Sequence, residues 1–431
     1  MSRRQERFQW SLRILEGLFL CLLVFSSIAS AQFTQYTPAG TFHESRESTE
    51  LILERNMEEA RWKAGRVLLD PWFGVRDIGY VSNVQGTGVS DYTATAGIGV
   101  RGWLPVGSDF TLAAHFLPEY VWWKDLTSRN RWNGRYGAGL FGNLGRTGLE
   151  FSATRVDDAT FFSREFEDRV NTRVDELLAK VEVDLGRSFK LFTSGTLRSI
   201  NYLPDDEDDQ IRLSVVDRDE GIFRLGVGFT LPRGFEIGVG FEGSDVSFDP
   251  GPSDRSNSGL SPLILMRYEG SSLSLNADMA FRSLEPEGSG SRFVDYDGTT
   301  GHFQVGWETM GRLQLQLFGG RDLVYSFSDL WAYFEDSSIG IGLLGGLNSW
   351  ASARFFVETG ENDYTPFDST GPNRKDDYLA WGGNVDFDFD WIRVYLQVSR
   401  TSYDSNYPGA DRDLTIWSSS ISFGLGSGLS W

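Results

Sequence analysis

Phe223-Arg224-Leu225-Gly226-Val227-Gly228-Phe229-Thr230-Leu231, then Pro232-Arg233-Gly234, then Phe235-Glu236-Ile237-Gly238-Val239-Gly240-Phe241-Glu242, is the stretch that decides the fold. Large apolar residues occupy every second position, and Arg, Gly, Thr and Glu fill the rest. A β-strand turns successive side chains to opposite faces, so each arm is a strand with one apolar face and one polar face. Pro-Arg-Gly between them is a turn, which makes the pair an antiparallel hairpin. Leu313, Leu315 and Leu317 alternate in the same way with Arg312, Gln314 and Gln316. So do Leu273, Leu275, Ala277, Met279 and Phe281 against Ser274, Asn276, Asp278 and Arg282, and Ile392, Val394, Leu396 and Val398 against Arg393, Tyr395, Gln397 and Ser399.

Short turn signals recur at a beat of about forty residues, as at Pro105-Val106-Gly107, Asn143-Leu144-Gly145, Leu185-Gly186-Arg187, Pro232-Arg233-Gly234, Glu269-Gly270-Ser271, Met310-Gly311, Leu347-Asn348-Ser349 and Asp388-Phe389-Asp390. Between them lie pairs of alternating stretches joined by longer loops rich in Asp, Ser, Gly and Asn. Tight turns at one rim and long loops at the other are the layout of an all-β, antiparallel, up-and-down transmembrane barrel. Nine beats predict about eighteen strands, from residues 67–84 to residues 415–431, with sixteen as the alternative. A soluble sandwich or propeller also alternates, but it needs neither this asymmetry nor apolar faces of about nine to eleven residues, the length a tilted strand needs to cross hydrocarbon. Closure is required because an open strand edge in lipid would leave backbone groups without partners.

The N-terminus supplies an export signal. Arg3, Arg4, Arg7 and Arg13 precede an apolar core over residues 17–28, and Ala29-Ser30-Ala31 has the small-residue pattern of a cleavage site. Residues 1–31 are therefore expected to be removed. Residues 32–66 form a periplasmic tail, and residues 67–431 form the barrel. Within the tail, residues 47–64 predict a short amphipathic helix ending at Gly65, free either to plug the periplasmic mouth, to bind a partner or to trail. The single Cys21 lies in the signal, so the mature chain has no disulfide, thiolate metal site or cysteine nucleophile.

Composition fits a wet interior inside an apolar shell. The sequence holds 14 Trp, 15 Tyr and 32 Phe, yet its mean hydropathy is -0.28. Its formal net charge of -20 excludes nucleic acid as a natural partner. The partners expected instead are outer-membrane lipid and lipopolysaccharide, with a monomer or homotrimer as the assembly. Tyr120, Trp122, Trp123, Trp331, Tyr333, Phe334, Trp350, Trp381, Trp391 and Trp417 suggest an aromatic girdle at the membrane interfaces.

The polar parity carries both signs of charge. Arg101, Arg135, Lys190, Arg198, Arg224, Arg282, Arg312, Arg354 and Arg393 stand against Glu236, Glu242, Asp278, Glu308, Glu358 and Asp386, and these are the expected pore-lining residues. Opposed charges around a wet lumen set a transverse field that filters solutes; cross-strand pairing is the alternative role. The acidic runs Asp205–Asp209, Asp217–Glu220 and Asp295–Asp297 match no defined calcium loop and are expected to be solvated. With only His43, His115 and His302, no zinc cluster is supported. No catalytic set, metal or cofactor is expected.

The last strand, Ile421-Ser-Phe423-Gly-Leu425-Gly-Ser-Gly-Leu429-Ser-Trp431, resembles the C-terminal signal read by the barrel assembly machinery, with Phe423 and Trp431 its aromatic positions. The segment Arg61–Gly65, Asp70–Val75 and Gly79–Val84 resembles the first strand of uncharacterised bacterial families of putative β-barrel porins, although those families often carry Asp where Val81 stands. The resemblance implies an outer-membrane barrel. The expected function is diffusive passage of small polar solutes or ions. The alternatives are a non-channel component of surface-polysaccharide export or assembly, and an outer-membrane hydrolase.

Overall fold

The computed structural model describes residues 39–40, 49–84, 89–161, 165, 169–203, 214–232, 234–249, 254–288, 290–309, 312–368, 370–389 and 392–424. A helix, α1 (Thr49–Glu58), precedes the short strand β1 (Trp62–Ala64). The barrel strands follow: β2 (Val67–Val84), β3 (Val89–Val106), β4 (Phe110–Trp123), β5 (Arg131–Leu144), β6 (Thr147–Phe161), β7 (Arg169–Asp184), β8 (Phe189–Leu203), β9 (Arg218–Leu231) and β10 (Phe235–Phe248). The second half holds β11 (Asn257–Glu269), β12 (Leu273–Pro286), β13 (Tyr296–Glu308), β14 (Leu313–Tyr325), β15 (Trp331–Gly346), β16 (Ala351–Pro366), β17 (Arg374–Phe389), β18 (Ile392–Ser405) and β19 (Arg412–Gly424). Each strand pairs antiparallel with the next, and β19 pairs with β2. The result is a closed eighteen-strand barrel.

Register converts the alternation into two faces. Val239 lies between Val227 of β9 and Ile264 of β11, while Glu242 lies between Arg224 and Ser261. The apolar parity is the outer wall: Phe223 is 53% exposed and Phe241 54%, whereas Glu242 is 1% exposed. At the short-turn rim, Gly107 (φ 73°) and Gly145 (φ 68°) take left-handed backbone that a side chain would strain.

Two expectations are corrected, on the tail helix and on the girdle, and the final strand is described only in part. The helix stops at Glu58, because Gly65 (φ 65°) turns the chain and pairs Trp62–Ala64 with Val67–Leu69. The final strand is described only over Arg412–Gly424; Phe423 stacks on Phe73 on the outer wall at 5.9 Å, and Trp431 lies outside the described residues. The girdle is smaller than the aromatic count suggested. Tyr120 pairs with Trp132, and Trp417 with Tyr80 and Tyr92, on the outer face towards the long loops. Trp350 stacks on Phe387 and Phe389 at the short-turn rim. Trp123 has inward parity and is 2% exposed; Trp331, Tyr333 and Phe334 are buried beneath loops. Trp391, like the run Asp205–Asp209 and the signal segment 1–31, lies outside the described residues.

Candidate functional site

The inner wall carries charge pairs that join one strand to another. On one side, Arg76 of β2 donates to both oxygens of Glu119 (2.9 and 2.7 Å) and to Asp158 (3.1 Å), which also accepts from Arg135 (2.7 Å). Arg101 reaches Asp70 at 3.4 Å. Further round, Glu242 is shared by Arg224 (2.6 Å) and Arg282 (2.8 Å), and Arg198 pairs with Glu176. Alternation brings Arg101 to Asp70, Arg135 to Asp158, Arg224 to Glu242 and Arg198 to Glu176, because same-parity residues on paired strands stand side by side, whereas Arg76 and Arg282 reach past intervening strands. Charge pairs of this kind make the wall polar without leaving a buried charge uncompensated.

At the long-loop end the mouth is covered. Arg255, which is 0% exposed, donates to the carbonyls of Val215 (2.9 Å), Ser328 (3.0 Å) and Trp331 (3.3 Å), and its guanidinium lies 4.9 Å from the Phe367 ring centre. Burial holds its pKa down at about 10. Beneath it Val246, Phe248, Leu284, Phe293, Leu323 and Phe327 pack into one apolar cluster. Glu165, between β6 and β7, joins this cover from eight strands away. It accepts from Ser326 Oγ at 3.0 and 3.1 Å and from the Phe327 N–H at 2.9 Å, with Arg374 3.8 Å off. Glu165 is thus bonded to the opposite side of the eighteen-strand cylinder from the strands it connects.

The N-terminal segment occupies the other end. Leu53 of α1 packs on Trp103, Ala113 and Phe141, all of inward parity near the short-turn rim. Ala39 packs on Phe318, Phe356 and Ala380, and the Gly40 N–H donates to Glu358 Oε2 at 2.7 Å. The two anchors lie on different stretches of wall, β3 to β5 and β14 to β17. The helix is thus seated against the inner wall at this end.

The structure puts Arg101, Arg135, Lys190, Arg198, Arg224, Glu236, Glu242, Asp278, Arg282, Glu308, Arg354, Glu358, Asp386 and Arg393 on the parity opposite the exposed apolar residues. Arg312 sits just before β14, against Gly346. They form several separate groups and not one cluster. Glu236 and Glu308 stand exposed at the rim, whereas Arg101, Glu242, Arg282 and Glu358 are buried. The run Asp217–Glu220 is not a solvated loop. Arg218 starts β9 and pairs with buried Glu220 at 2.7 Å, and Asp217, which accepts the Tyr202 N–H at 2.7 Å, is pushed up to about 6 by burial. In Asp295–Asp297, Tyr296 is buried under the loops. His115 stands opposite Arg101, and His302 Nε2 lies 2.9 Å from Asp322.

Sequence reading missed Arg76, Asp158, Glu165, Asp322 and Asn362. Parity exposes Asp322. Arg76 is hidden by a break of register beside Asp77 (φ 53°), and Glu165 lies in a loop with no periodicity.

No family model matches the sequence, and no curated protein matches it. Solved structures similar to the barrel include OccK2 (OpdF) of Pseudomonas aeruginosa, with TM-score 0.52 and 10% identity over 83% of this chain and 98% of that one. The outer membrane protein opdK of Pseudomonas aeruginosa gives TM-score 0.51 and 10% identity over 83% and 98%. A BenF-like porin from Pseudomonas fluorescens Pf-5 gives 0.51 and 9% over 83% and 99%. At such identities the likeness is one of fold.

Proposed function

We propose that the mature chain is a porin-like channel of the bacterial outer membrane, not an enzyme, which gives small polar solutes or ions diffusive passage. The observation that carries this reading is the pairing of an exposed apolar outer face with an inner face that carries the charged pairs, around eighteen closed strands. Barrels of sixteen to eighteen strands are wide enough to hold an aqueous path. The strap at Glu165 and the segment around Gly40 and Leu53 narrow that path from opposite ends. The charged residues named above line it and set its selectivity. Export uses residues 1–31 as a cleaved signal, and residues around Phe423 to Trp431 address the chain to the barrel assembly machinery. Lipopolysaccharide surrounds the outer wall, and the protein works as a monomer or homotrimer.

Purified protein reconstituted in a planar bilayer tests the reading. Stable single-channel steps are expected, and folded barrel that carries no current rejects it.

A further inference from the structure

The helix α1 does not lie flush on the wall. Between it and β2 to β7, at the short-turn end, the structure leaves a cavity of about 670 Å³. Pockets that hold a small organic molecule span about 300–1,000 Å³, so the space is of ligand size. Its lining has two chemistries. Leu53 and Met57, one turn apart on α1, make part of it apolar together with Leu68 and Phe141. Glu54 and Glu58 follow them on the helix, again one turn apart, and border the same cavity as Glu150, Lys180 and Glu182 of β6 and β7.

The charges bordering the cavity are unequal. Lys180 is the one basic residue among the described lining; it lies 3.0 Å from Glu182 and opposite Glu150 in register. Glu182 has a second lysine, Lys190, at 3.4 Å, and Asp109 accepts from the Ser108 hydroxyl at 2.9 Å. Among the described residues, neither Glu54 nor Glu58 forms an ion pair. Like charges four apart on a helix repel, and a cation placed between them turns that cost into an attraction. A guest that suits both chemistries has a hydrocarbon body and a protonated amine, whose N–H groups bond carboxylate oxygens strongly. A bare metal ion suits it less, because among the described residues no three His, Cys, Asp or Glu converge.

We propose that the cavity between α1 and the wall is a subsite for a small amphipathic organic cation. Glu54 and Glu58 take its ammonium group, and Leu53, Met57 and Phe141 take its hydrocarbon. Because α1 carries half of the subsite, a guest binds the seated helix in preference to a released one and so holds the N-terminal segment in place. The proposal deepens the channel reading and rests on it for any role in transport, but binding is measurable without current.

The probe is 2-phenylethylamine, with 2-phenylethanol as its uncharged counterpart. Titration calorimetry at neutral pH on the folded full mature barrel in detergent should show saturable amine binding that weakens by about tenfold or more in the Glu54→Gln, Glu58→Gln pair, with no saturable binding of the alcohol. The pair Asp377→Asn, Asp404→Asn removes the same charge from exposed positions on the outer face and should leave the affinity as it is. Equal affinity in wild type and the α1 pair, equal weakening in the outer-face pair, or equal binding of the alcohol overturns the subsite. Bilayer current in the same preparations separates the two readings. Current with amine affinity that ignores the α1 pair removes the subsite and leaves the channel; binding that responds to the α1 pair without current keeps the subsite and removes the channel.

Discussion

Glu165 and Phe327 meet across the barrel mouth: the Phe327 N–H donates to Glu165 Oε2 at 2.9 Å although 162 residues separate them. Burial pushes the Glu165 carboxyl above its ordinary value, against the Phe327 N–H, Arg374 and Ser326, which pull it down. A docked carboxyl with a raised pKa takes up a proton more readily than a released one. Docking is thus strongest below the ordinary value and weakens as pH rises through the raised one. Single-channel conductance should therefore fall as pH is lowered from about 7.5 to about 4.5, and Glu165→Gln should flatten that part of the curve. A titration of the same size in the variant would assign the effect to other groups.

Gly40 holds the N-terminal segment in a place with no room for a side chain. Its φ is +73°, and an added Cβ would lie 2.3 Å from the Phe356 ring. Gly40→Val should unseat the segment while leaving every wall residue unchanged. Conductance should rise above wild type, and Leu53→Asp, which puts a charge against Trp103 and Phe141, should do the same from the other anchor. Wild-type step sizes in both variants would show that the segment does not obstruct the path.

Glu242 carries the strongest expectation for stability. It is 1% exposed and shared between Arg224 and Arg282, so its loss leaves two guanidinium groups facing one another. Glu242→Leu should cost about 3–5 kcal/mol in reversible unfolding of the barrel from lipid or detergent. The double change Glu242→Leu, Arg282→Met should recover part of that loss, because it removes one stranded charge; no recovery would mean that packing and not charge sets the cost.

How far the fold could be read beforehand follows from which signals are local. Alternation over residues 223–242 contains its own register, since the turn at Pro232-Arg233-Gly234 sets Leu231 opposite Phe235 and the rest follows. The span 67–84 is likewise fixed by its own residues and matches β2. Trp331, Tyr333 and Phe334 have the composition of a girdle, but loops from elsewhere in the chain cover them, and no window around residue 331 contains those loops. Glu165 is one acidic residue in a polar loop until the far wall is in place. Asp322, Asp336 and Asn362 become a row only when three strands are laid in register. Parity is legible in sequence; contacts made across the cylinder are not.

The lipid-facing wall gives the remaining test. Val357 lies near the middle of β16 and is 55% exposed, whereas the next residue, Glu358, is 3% exposed and faces the lumen. In water an exposed Val→Arg change would be close to neutral. On a wall in contact with hydrocarbon it should cost about 2–4 kcal/mol near the midplane. Val357→Arg should therefore lower the unfolding free energy in bilayers by about that amount, while Phe389→Arg, at the short-turn rim, should cost about 0–1 kcal/mol. Equal and negligible costs at the two positions would mean that water, and not lipid, bathes the outer face, and the channel reading would fall with it.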